Sequence, residues 1–201
     1  FDAATKTLAD ANKMSPDNLQ VMRAAVALAR VNPKLGPKVA MDRLNKVVAK
    51  FGDEPSLRIE KADILIQLNK DQEDKEPLKR DLAGLMAGID KWTDAQKVEL
   101  WRNMAGRYLS LNMPDEARQS LALAADKLPS ELPLRVALFD LALQAGDDKG
   151  MQEAQDKILE VVKDKNDSNW LYSEARRQLQ AVRRGRASMD TLPAIRKLAE
   201  Q

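Results

Sequence analysis

Cysteine and histidine are both absent from this chain of 201 residues. Their absence removes the common ligands of zinc, copper, haem and iron–sulfur sites. It also removes Ser-His and Cys-His nucleophile pairs, and the side chain best suited to proton transfer near neutral pH. Enzymes built on carboxylates, lysine or tyrosine alone remain open, but the expectation is a non-enzyme with no catalytic residue, no metal and no cofactor. Aromatics are also scarce, at 4% against a hydrophobic fraction of 44%, so buried surface must come mostly from Ala, Leu, Val, Ile and Met. That mixture favours helices over sheets. No run approaches the ~20 apolar residues of a membrane span. Neither sign of charge dominates: 33 Lys and Arg face 31 Asp and Glu, which gives no general field for nucleic acid or an anionic membrane. The start, Phe1-Asp2-Ala3-Ala4, has neither an initiator Met nor a signal-peptide core, and a fragment of something longer is expected. A lack of Cys suits the cytosol and an exported bacterial protein equally, so the compartment stays open.

What the chain does have is self-similarity. Ala4, Leu8 and Ala11 sit at i, i+4, i+7, on one face of a helix. The set returns as Ala40, Leu44, Val47, then Leu78, Leu82, Leu85, then Ala117, Leu121, Ala124. It returns again as Ala154, Ile158, Val161 and, more weakly, as Thr191, Ile195, Leu198. The first members lie 36, 38, 39, 37 and 37 residues apart. Between the sets run second helical patterns over Asp17–Val31, Ser56–Leu68, Asp94–Leu111, Glu131–Ala145 and Asn169–Arg184. Pro and Gly punctuate the boundaries, and Ser15, Thr93 and Ser168 offer N-cap side chains. No alternating run is long enough for a strand, so the chain is expected to be all helix, in antiparallel pairs. A lone pair of this size cannot bury its own apolar face, so each must stack on the next.

One stretch carries a family pattern. Trp101-x2-Met104-Ala105-x2-Tyr108-x8-Ala117-x3-Leu121-x2-Ala124-x4-Pro129 resembles the tetratricopeptide repeat in its order of large, small and aromatic positions and its closing proline. Ala4-x3-Leu8-x2-Ala11-x4-Pro16 looks like the second half of another such repeat. Elsewhere the turns around Pro33–Pro37 and Lys70–Glu76 look longer than the family's, and Leu138 replaces an expected small residue. Such loose repeats resemble the large repeat arrays of bacteria. The resemblance implies an all-α, right-handed superhelix of about five repeats: 1–16 (partial), 17–54, 55–92, 93–130, 131–167 and 168–201.

The same resemblance implies a protein or peptide partner held on the inner face of the first helices. In the best-matched unit that face carries Arg102, Asn103, Gly106, Leu109 and Ser110. Arg offers a forked donor and Asn pairs with both backbone groups, so the two could grip a peptide. Trp101, Met104 and Tyr108 read as packing within the repeat rather than a ligand box. The alternative surface is a basic cluster of Arg176, Arg177, Arg183, Arg184 and Arg186, with Trp170 and Tyr172 upstream and Arg196 and Lys197 beyond. It could take nucleic acid or an anionic partner. Confinement of these arginines to one repeat favours an exposed face and helix end instead, with Trp170 packed on the preceding pair. Asp71–Asp74 and Asp147-Asp148 lack the Gly and Glu offsets of a calcium loop, and no Gly-rich phosphate loop is present. Both ends of the chain fall in or beside a second helix, so exposed stacking faces there could drive self-association.

Overall fold

A computed structural model of the chain describes residues 1–199, with side chains through Arg196. The chain divides into two compact units, Phe1–Met104 and Ala105–Gln201. The first holds α1 (Asp2–Met14), α2 (Leu19–Val31), α3 (Gly36–Phe51), α4 (Pro55–Leu68) and α5 (Glu76–Gly84). The boundary falls inside α6 (Asp94–Ser110). The second unit continues with α7 (Pro114–Lys127), α8 (Leu132–Ala145), α9 (Asp148–Val162) and α10 (Ser168–Arg183). A 3-10 turn over Met189–Thr191 then leads into α11 (Leu192–Ala199). Among the described residues there is no strand, so the chain is all-α. Among the described residues no helix is long and apolar enough to cross a membrane.

The helix starts follow from local chemistry. Thr93 and Gln96 form a reciprocal capping box: Gln96 N–H donates to Thr93 Oγ1 at 3.3 Å, and Thr93 N–H donates to Gln96 Oε1 at 3.0 Å. Pro114 occupies the first position of α7 and Pro77 the second of α5, where a missing amide hydrogen costs nothing. Two caps differ from the sequence reading. Asn18, rather than Ser15, accepts from Gln20 N and Val21 N; Asp167, rather than Ser168, accepts from Asn169 N. In both cases the residue next to the first turn has the shorter reach to the orphan amides.

Within each unit, consecutive helices pack on each other: α1 on α2, α2 on α3, α3 on α4, α4 on α5; then α7 on α8, α8 on α9, α9 on α10, α10 on α11. In the first unit Ala40, Leu44 and Val47 are fully buried and meet Val26, Leu57 and Ile64 from the flanking helices. Leu78 and Leu82, then Ala117, Leu121 and Ala124, are buried at the same repeating positions. The first set behaves differently, for α1 contains no buried residue, and only Leu8 and Ala11 are half-covered. In α9 the register also shifts. Met151, Gln155 and Ile158 are the buried residues, while Ala154 and Val161 are half-covered. Of the last set, Ile195 is buried, Thr191 lies exposed in the 3-10 turn, and Leu198 lies outside the described side chains.

Of the expected loop Lys70–Glu76, residues 70–75 form a turn that delays α5 and Glu76 already opens that helix, which spans only 9 residues. An arginine organises the chain beyond α5. Arg58 on α4 donates to the carbonyls of Leu85 and Ala87, each at 2.6 Å, and its guanidinium lies 4.8 Å from the Trp92 ring centroid. It thereby satisfies carbonyls at the end of α5 that no helix continues to bind.

Candidate binding face

The first helices of the first unit bring their polar side chains to one open cavity of about 360 Å³. Arg23 and Arg30 reach it from α2, Ser56, Glu60 and Asp63 from α4, and Glu99 and Asn103 from α6. The pairings run between helices one repeat apart. Arg30 Nη1 donates to Asp63 Oδ2 at 3.3 Å, and Arg23 Nη1 to Ser56 Oγ at 3.4 Å, each pair separated by 33 residues. Ser56 Oγ in turn donates to Glu54 Oε1 at 2.5 Å. Arg23 Nε also lies 3.4 Å from Glu60 Oε2. That oxygen is buried yet accepts no hydrogen bond, because the Arg23 donor is not aligned on it. Burial therefore pushes the Glu60 carboxyl above its ordinary range, while the charges of Arg23 and Arg30 pull it part of the way back.

Each residue expected on this face is exposed: Arg102, Asn103, Gly106, Leu109 and Ser110 all lie on the open side of α6. Asn103 reaches the cavity of the first unit, with its Nδ2 donating to the Glu99 carbonyl at 2.8 Å. Ser110 Oγ donates back to the Arg107 carbonyl at 2.7 Å and so spends its donor within the helix. Arg102 is exposed but does not line the cavity. Trp101, Met104 and Tyr108 are buried, as packing positions are. Burial, reinforced by the Glu116 charge, pushes the Tyr108 hydroxyl up to about 12. Arg23, Arg30, Glu60 and Asp63 were not singled out from the sequence, although opposite charges one repeat apart were a usable signal.

The arginines of the alternative surface are dispersed among partners. Arg177 pairs with Glu174 at 2.8 Å, and Arg184 with Asp148 at 3.2 Å. Arg186 pairs with Asp148 as well. Arg176 lies over the Tyr172 ring, 5.5 Å from its centroid, and the Tyr172 hydroxyl donates to Asp140 Oδ1 at 2.8 Å. Arg183 is exposed and forms no ion pair among the described residues. Trp170 packs against the cluster of Phe139, Ala142, Leu143, Met151 and Ile158, with Lys165 over its ring at 5.7 Å. The Lys197 side chain lies outside the described residues. Arg184 also donates to the Gly146 carbonyl at 2.9 Å, and a Cβ at Gly146 would stand 1.7 Å from its Nη2. Only glycine, here in the left-handed conformation that ends α8, allows that approach.

A buried polar knot joins α9 to α10. Gln155 Nε2 donates to Glu174 Oε2 at 2.8 Å, and Arg177 and Gln178 donate to the same carboxylate. Burial alone would raise the Glu174 carboxyl, but these donors together hold it below its ordinary range.

No protein-family model matches the chain, and the comparisons with curated proteins and with solved structures likewise found no match.

Proposed function

We propose that the chain is a non-catalytic scaffold that holds a peptide or partner protein on the face formed by its first helices, in a tetratricopeptide-like solenoid. The observation that carries this reading is the cavity where α2, α4 and α6 converge. Polar side chains from three successive repeats meet there without closing the space between them. A groove lined by paired Arg and carboxylate groups suits a polypeptide, whose backbone and side chains supply donors and acceptors together. Arg102 and Asn103, on the exposed side of α6, extend the same kind of surface, and Gly106, Leu109 and Ser110 continue along that helix. The repeat period and the missing catalytic residue types support the same reading.

The nucleic-acid alternative rests on Arg176 and Arg183, since Arg177, Arg184 and Arg186 already neutralise carboxylates of this chain. The test is capture of partners with the chain as bait, repeated with Asn103→Glu and Arg30→Glu. Loss of a specific partner with both variants supports the groove. Retention of that partner by both, or salt-sensitive capture of nucleic acid lost with Arg176→Glu, overturns it.

A further inference from the structure

A second cavity, of about 310 Å³, lies in the first unit between α1, α2 and α3. Its volume falls at the small end of the range for small-molecule sites, roughly 300–1,000 Å³. Its walls are mainly apolar, built by Leu8 from α1, Met22 and Leu28 from α2, and Leu35 from the turn before α3. No carboxylate is among its lining residues, whereas two cations are: Arg43 and Lys46, three residues apart on one face of α3. Arg43 Nη1 donates to the Ala25 carbonyl at 2.7 Å, which fixes the guanidinium across the cavity wall. Lys46 is exposed and has no carboxylate partner among the described residues.

We propose that this cavity binds a small apolar monocarboxylate, with its hydrocarbon body among Leu8, Met22, Leu28 and Leu35 and its carboxylate at Lys46 and Arg43. Apolar walls with a few fixed polar groups at one side are the general form of a small-ligand site. The sign of the charge selects an anion, and the forked guanidinium matches a carboxylate. The lining of α1 runs from Thr5 to Asn12, about two turns or ~10 Å of helix. That length fits a medium alkyl chain and is short for the repeated anchors of a docked amphipathic helix. The site lies among different residues from the groove of the proposed function and does not depend on it.

The test uses decanoate below its micelle concentration and decan-1-ol as the uncharged control, read by calorimetry and by the Met22 methyl resonance. Saturable single-site binding of decanoate is expected, with a shift of the Met22 signal and at least tenfold weaker binding of the alcohol. Lys46→Glu, a change at an exposed position, should weaken decanoate at least fivefold, and Ala25→Trp should fill the cavity and abolish binding. Failure of decanoate to saturate, equal affinity for the alcohol, or an unmoved Met22 resonance overturns the proposal. So does an acidic apolar peptide that shifts Met22 where decanoate does not.

Discussion

Two carboxylates, the half-buried Glu60 of the first unit and the buried Glu174 of the second, have been given opposite surroundings. Both lose water on folding, and for both burial is the largest influence on ionisation. Glu174 is then met by hydrogen-bond donors from Gln155, Arg177 and Gln178, two of them on its own helix and one across from α9. Glu60 is met mainly by the charges of Arg23 and Arg30, and its buried Oε2 accepts no hydrogen bond. A charge alone does not replace the water a carboxylate gives up, whereas aligned donors do. The second unit therefore uses its carboxylate to join helices. The first unit leaves its carboxylate at the edge of an open cavity.

The largest expected effect comes from breaking the satisfied site. Glu174→Ala removes the acceptor of the buried Gln155 amide and frees Arg177, and should cost about 2–3 kcal/mol in chemical denaturation. Because its folded pKa is depressed, the ionised Glu174 stabilises above its unfolded pKa, and that contribution disappears as pH falls through the folded value. The gap between wild type and Glu174→Gln should accordingly narrow in acid.

A smaller loss, about 1–2 kcal/mol, is expected for Arg23→Ala, which leaves Glu60 with only the more distant Arg30. Arg23 is itself 32% exposed along its side chain, so part of its charge interaction is already screened by solvent. Carboxyl NMR should show the Glu60 pKa rising further in this variant.

The smallest change is expected for Glu60→Gln, within about 1 kcal/mol of wild type at neutral pH. Here the pH dependence has the opposite sign to that of Glu174. A raised folded pKa favours the native state fully below the unfolded pKa, and this advantage is lost as pH rises through the folded value. Wild type should thus gain on Glu60→Gln in acid. A gain at neutral pH instead would show that Glu60 is well solvated and would collapse the contrast between the two units.

The helices were largely legible because each needs only local information. The expected Ser56–Leu68 and Asp94–Leu111 patterns meet observed helices Pro55–Leu68 and Asp94–Ser110, since caps, prolines and apolar spacing act within a few residues. The register of α9 was not legible. Gln155 reads as polar and exposed, and it is buried only because Glu174, on another helix, supplies its acceptor. The same reason explains the candidate binding face. Asn103 could be placed from the pattern of its own helix, whereas Arg23, Arg30, Glu60 and Asp63 become a site only through pairings one repeat away.

Within each unit, helices touch their neighbours or next neighbours along the chain. That topology bears on how the protein is made as well as on how it is held. Contacts so close in sequence give a low contact order and fast formation. At a synthesis rate of roughly 5–20 residues per second, one repeat takes about 2–7 s to emerge, against microseconds for helix formation. Each helix can therefore form long before the next repeat arrives to cover its apolar face.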